Sequence, residues 1–247
     1  GVGPRPPPGG RPSPRAGRAL ILAGKFVPEI KTRAHGVVEH PAEDIQQSGR
    51  QRRRVQILRK NGPHIEQHAT VEAVRALWLN NLSELRSLVG DAAGASDLAD
   101  AASRLRAWVD HRADLFTHRI RGGWIVDGHG DLLCDDIYLE KDGPRILDCL
   151  AFRDDLRCGD VVADLAFLAM DLERRGHPEL AMQFIRDYAE FSGHSVPGAL
   201  LWAWASHRAF VRAKVALLRL EQGDDSARDE LAEFIAAGLR NLSRAEP

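Results

Sequence analysis

The chain has 247 residues, 44% of them hydrophobic and 28% charged, with a formal net charge of -1. That length and balance suit one large or two small globular domains with a buried core. They give no global electrostatic pull towards nucleic acid or membrane. No apolar run is long enough to span a bilayer, and the basic-then-apolar order of a signal peptide is missing at the N-terminus.

Residues 1–16, GVGPRPPPGGRPSPRA, have almost nothing to bury and read as a disordered or polyproline-like tail. Residues 17–33 hold one apolar run, Ala19 to Ala23, followed by Gly24-Lys25 without the spaced glycines of a phosphate loop. Residues 34–60 turn basic at Arg50, Arg52, Arg53, Arg54, Arg59 and Lys60. They read as a solvated face or unstructured segment, or more sharply as a patch for phosphate or nucleic acid. No aromatic residues interleave with these charges, so nucleic acid is not expected as a partner.

From residue 61 the pattern becomes helical. Thr70 suits an N-cap. Val71, Val74, Trp78, Leu82, Leu85 and Val89 recur at three- and four-residue steps, and Gly90 closes the helix. Residues 91–96 read as a loop and Leu98 to about Ile120 as one second helix. Past the site described below, helices are predicted up to Glu173, from Pro178, from residues 195–197 to about Gln222, and from a capping box at Ser226 and Asp229. Arg208 and Arg212, one turn apart, would pair with core carboxylates or contact a bound anion.

The chemistry is concentrated in residues 124–171. Trp124-Ile125-Val126 reads as a short strand, and His129-Gly130-Asp131 as a tight loop after it. Ile137-Tyr138-Leu139 and Arg145-Ile146-Leu147 read as two strands joined by a Lys141-Asp142-Gly143-Pro144 turn. A hairpin of that kind brings Asp131 and Asp136 towards Asp148. Phosphoryl transfer needs a carboxylate to orient the attacking hydroxyl and hard oxygen ligands to hold magnesium against phosphates. Cys134, Cys149 and Cys158 form no CxxC pattern. They read as reduced thiols of a cytoplasmic protein, packed as small apolar side chains.

His129-Gly130-Asp131-Leu132, Asp136, Asp148 and the run Gly159-Asp160 to Asp164-Leu165-Ala166 resemble the aminoglycoside phosphotransferase (choline-kinase-like) branch of the kinase-like superfamily. That branch's loop reads His-Gly-Asp-Leu-His-x-x-Asn. Here Leu133 replaces the second His and Asp136 replaces the Asn. Trp78 and Asn81 look like parts of the family's Leu-Trp-x-x-Asn segment, with core and helix-surface roles. The resemblance is closest to the phosphotransferase half of bacterial proteins that also carry a P-loop kinase domain, a second domain not expected here.

The resemblance implies an α+β, mostly helical fold: a protein-kinase-like C-lobe over residues 61–247, with a small β-hairpin sheet at the site. Residues 1–60 would stand in place of a missing or degenerate N-lobe, and Lys25 with Glu29 is the one nominee for its phosphate-holding pair. A start or reading frame assigned wrongly upstream of residue 60 would leave the same mark.

It also implies Asp131 as catalytic base with His129 in its motif, Asp136 and Asp148 as magnesium ligands, and Asp160 and Asp164 as structural support. Asp154 and Asp155 fall in a loop that either approaches the acceptor or is simply salt-bridged. The expected function is ATP- and magnesium-dependent phosphoryl transfer to a hydroxyl of a small molecule. A pseudokinase-like or truncated binding protein is the alternative, and a metal-dependent phosphohydrolase the weaker one. Neither the acceptor nor the oligomeric state is legible.

Overall fold

The computed structural model describes residues 59–60, 62–90, 95–140 and 143–246. The expected tail, the Ala19 to Ala23 run, Lys25 with Glu29, and Arg50 to Arg54 lie outside the described residues. So do residues 91–94 and the turn residues Lys141 and Asp142. In chain order the elements are β1 (Arg59–Lys60), α1 (Pro63–Glu66), a 3₁₀ turn (Gln67–Ala69), α2 (Val71–Val89), α3 (Ala95–Asp110), α4 (Ala113–Arg121) and β2 (Ile125–Asp127). A second 3₁₀ turn (Cys134–Asp136) leads into β3 (Ile137–Glu140) and β4 (Gly143–Ile146). Then follow α5 (Asp154–Arg157), β5 (Cys158–Asp160), α6 (Val162–Arg174), α7 (Pro178–Ser192), α8 (Gly198–Glu221) and α9 (Ala227–Ala245).

The fold is mostly helical with small antiparallel sheets. Helix α6 is its centre: Val162, Ala163 and every residue from Leu165 to Leu172 are buried. Helix α8 is buried without interruption from Leu200 to Phe210. Both follow largely from sequence, because a helix with apolar residues around most of its circumference is stable only when surrounded. Helix α8 packs on α6, α9 and α2, and α7 lies against α6. Helix α2 begins and ends where its sequence says. Thr70 Oγ1 accepts from Ala73 N at 3.2 Å, and Gly90 takes φ 62°.

Four local expectations are corrected. The helix predicted over residues 98–120 is two helices, with Arg112 at φ -126° between them. Val109 is followed at the next turn by Arg112 and Ala113, which offer no large apolar contact, and the stripe resumes in a new direction at Phe116. The hairpin is not the whole of the sheet structure. Strand β2 also pairs antiparallel with β1 and β5, giving the order β1-β2-β5 and the register Ile125↔Asp160. These strands are two or three residues long, too short to show a period of two. Gly143 and Pro144 pair with Glu140 and Leu139 within the hairpin rather than forming its turn. Finally, Ser226 makes no side-chain cap: its hydroxyl donates to Asp224 instead, and Ser226 itself is helical.

Gly238 on α9 faces Phe210 on α8. A methyl group there would lie 2.6 Å from a ring carbon of Phe210, which has no exposed surface and nowhere to move. Ser206 Oγ bonds the Gly238 carbonyl at 2.8 Å, fixing the same close approach. Gly238→Ala is expected to cost about 1–3 kcal/mol by overpacking. The better helix propensity of alanine offsets that by at most about 1 kcal/mol. Urea unfolding with an unchanged m value is the check, and a variant as stable as wild type would contradict this packing.

Candidate functional site: a carboxylate loop clamped by one helix

Strand β2 delivers the chain into the loop that carries His129, Gly130 and Asp131. The loop is held from beneath by α6. Both oxygens of Asp164 accept backbone N–H groups, from His129 at 2.7 Å and from Gly130 at 2.9 Å. Two turns further along the same face, Asp171 Oδ2 accepts from Cys134 N at 3.0 Å. Two carboxylates seven residues apart on one helix therefore clamp the two ends of the loop. Asp171 is 1% exposed and also pairs with Arg174 and Arg175, the latter reaching Asp135 at 2.7 Å. Those guanidinium groups and the Cys134 N–H hold the Asp171 carboxyl below its usual range, although burial, the largest influence, pushes it up.

Two glycines make the clamp geometrically possible. A side chain at Gly128 would overlap Asp164 Oδ2. Gly130 takes φ 87°, and a methyl there would sit 2.9 Å from Leu150 Cδ1 and 3.1 Å from the Leu156 carbonyl oxygen.

His129 is 8% exposed and spends both ring nitrogens on backbone. Nδ1 accepts from Asp131 N at 3.3 Å, and Nε2 stands 2.7 Å from the Leu147 carbonyl oxygen. The network assigns the proton to Nε2. The ring ties the loop to the end of β4, so His129 positions Asp131 and Asp148. The second tie is Leu147 N to the Asp136 carbonyl oxygen at 2.9 Å. Asp148 comes next. It is the one non-glycine residue with positive φ among the described residues, at 63°. A side chain held in the left-handed region at a loop of converging carboxylates is the kind of strain found at functional sites.

Asp131, Asp136 and Asp148 lie close enough to act on one another. Burial pushes the Asp136 carboxyl up to about 6; the Leu133 N–H bonded to Oδ2 at 2.9 Å pulls it down, and Asp131 and Asp148 add to the rise. Burial raises the Asp131 carboxyl as well, against the pull of Arg212 and then Arg208. Among the described residues, no three His, Cys, Asp or Glu side chains form a ready-made metal cage. Magnesium does not require one: it commonly takes one or two carboxylates and completes its shell with phosphate oxygens and water. Among the described residues Asp136 Oδ1 takes no hydrogen bond, and Asp148 is exposed, so this pair fits that requirement in donor type.

The Asp136 shift has a measurable sign. Its carboxyl sits near 3.9 when unfolded and at about 6 in the fold, so the folded state holds the proton more tightly. The associated stability is fully present below about pH 4 and is lost as pH rises through about 6. Asp136→Asn keeps an oxygen for the Leu133 N–H and removes the charge. In metal-free buffer at pH 7.5 it is expected to be more stable than wild type by on the order of 1 kcal/mol, after discounting for solvent screening of a half-exposed group. The advantage should vanish near pH 4. Thermal melts of both proteins at the two pH values test this; a variant less stable at pH 7.5 would contradict it.

Asp154 and Asp155 are spent on ion pairs. Asp155 pairs with Arg153, and Asp154 with Arg157, whose Nε also bonds Asp127. Their segment, expected as a loop, is the short helix α5, and the pairing leaves it tying β2 to the site. Asp160 bonds Val162 N at 2.9 Å, as expected of a residue leading into a helix. Its larger role, missed in the sequence, is a doubly bonded pair with Arg119 at 2.6 and 2.7 Å. Asn81, expected on a helix surface, is 6% exposed and belongs to the interior. Cys134 and Cys158 are buried as expected, and Cys149 is exposed, so packing is not its role.

No family profile matches the chain, and no solved structure matches it. Uncharacterized proteins of Mycobacterium tuberculosis and Mycobacterium bovis are 39% identical to it over 181 residues, which is 73% of this chain and 36% of each relative. The chain thus spans about a third of the length of the curated relatives it matches. No helix among the described residues is long and apolar enough to cross a membrane.

Proposed function

We propose that the chain is a kinase-like C-lobe that transfers a phosphoryl group from ATP to a hydroxyl of a small molecule, with magnesium, in the cytoplasm. The observation that carries this reading is the meeting of Asp131, Asp136 and Asp148 at one loop, with the left-handed Asp148 and the Asp164 clamp fixing their backbone. Phosphoryl transfer asks a protein mainly for positioning and charge placement. Asp131 would accept the proton of the attacking hydroxyl, and burial makes it a stronger base than a free aspartate. Asp136 and Asp148 would hold magnesium, which when bound offsets the negative charge of the phosphate oxygens. His129 and Asp164 would act by holding the loop still.

The test is acceptor-dependent ADP release across a panel of small hydroxyl compounds, with magnesium. Wild type is expected to respond to at least one compound. Phosphate release without any acceptor would favour the hydrolase reading. ATP binding without turnover across the panel would favour a non-catalytic binding role.

A further inference from the structure

Arg119 shows how this protein satisfies a buried guanidinium. It is 1% exposed, bonds both oxygens of Asp160, donates to the Ser195 carbonyl at 2.8 Å and lies 4.1 Å over the Trp124 ring. Arg208 on α8 is the opposite case. It is 5% exposed, yet among the described residues no carboxylate lies within ion-pair distance, and its Nε has no hydrogen-bond partner. Its near neighbours are the Phe167 and Trp204 rings, at 5.1 and 5.7 Å.

Arg212, one turn on, also has a buried Nε without a partner. Its terminal nitrogen stands 3.8 Å from Asp131 Oδ2, beyond hydrogen-bonding distance. The carboxylates that Arg208 feels are Asp164 and Asp131. Asp164 has already given both oxygens to the loop backbone. Two positive charges therefore face one partly exposed carboxylate. The indole N–H groups of Trp78 and Trp204, against the same stretch of α8, are buried without acceptors as well. Around Arg208 and Arg212 positive charge exceeds the negative charge within reach among the described residues.

A buried, unpaired guanidinium is costly and is retained where something supplies the missing charge. Two forks one turn apart, beside a carboxylate, suit a tetrahedral group carrying nearly two negative charges better than a single carboxylate. We propose that Arg208 and Arg212 form a phosphate-binding subsite beside Asp131, and that the acceptor is a phosphorylated small molecule presenting a free hydroxyl to Asp131. Calling the ligand an acceptor rests on the phosphotransfer reading; the subsite itself does not.

The test uses inorganic phosphate as probe, in calorimetric titration of the whole chain without nucleotide or magnesium. Wild type is expected to bind phosphate saturably. Arg208→Met should weaken that binding about tenfold or more while leaving the melting temperature equal or higher, because an unpaired buried charge is removed at nearly constant volume. Arg212→Gln, at a more exposed position, should show the same loss and serves if Arg208→Met does not fold. Arg240→Gln, on the exposed face of α9, should bind as wild type does. Absence of binding, or binding unchanged in both site variants, overturns the subsite. A second titration adds magnesium and a non-hydrolysable ATP analogue. Unchanged phosphate affinity is expected, and displacement by the analogue overturns the acceptor assignment. Since the first titration contains no nucleotide, its failure leaves the phosphotransfer reading standing. Loss of nucleotide binding with phosphate binding intact counts against phosphotransfer alone.

Discussion

Asp160→Ala is expected to lower the unfolding free energy by about 3–5 kcal/mol. The pair it breaks is among the most enclosed in the molecule: Arg119 and Asp160 side chains are 1% and 5% exposed, and both guanidinium–carboxylate contacts are short. Removal of the carboxylate leaves a cation in the interior with one carbonyl partner, at Ser195, and the Trp124 ring. It also frees Val162 N at the start of α6, the helix that clamps the loop. The loss therefore reaches the site, though neither residue touches it. Arg119→Met combined with Asp160→Leu should recover part of the stability, because apolar packing replaces two charges rather than stranding one. Guanidinium unfolding of the two single variants and the double one is the check. A loss below about 1 kcal/mol for Asp160→Ala would mean that water reaches the pair.

Asp131→Asn is expected to reduce acceptor-dependent turnover by between about a hundredfold and ten-thousandfold, the range of a general base in a positioned site. Asparagine keeps the shape of the side chain and cannot take a proton. Stability should change little, because the Asp131 side chain is 34% exposed and its ion pair with Arg212 is long, at 3.8 Å. On the proposed role the loss should fall in kcat more than in KM, since the proton would be taken in the transition state. Turnover within a few-fold of wild type, in folded variant protein, would remove Asp131 from the chemistry.

The sequence made the loop legible because its residue types are demanding. Gly130 is needed for a positive φ, Asp164 follows in the largely apolar first turns of α6, and Asp136 and Asp148 flank the two hairpin strands. The long helices were legible for the same reason: α2 carries its cap, its stripe and its terminal glycine in order. What stayed hidden was pairing between distant elements. Nothing in the local pattern around Arg119 names Asp160, 41 residues later, as its partner. The strand β5 is three residues long, and two of those, Gly159 and Asp160, discourage a strand assignment. Asp171 had a readable signal, its seven-residue spacing from Asp164, which became meaningful only once both were seen to face the loop. Arg208 reads as a turn-mate of Arg212, but that no carboxylate among the described residues lies within ion-pair distance of it is a tertiary fact.

Whether these carboxylates serve a magnesium nucleotide is decided by calorimetric titration with a non-hydrolysable ATP analogue. Saturable binding is expected that requires magnesium and is lost in Asp148→Asn, with the variant still folded by circular dichroism. Binding that is absent from folded wild-type protein, or equally strong without magnesium and in the variant, would contradict that role.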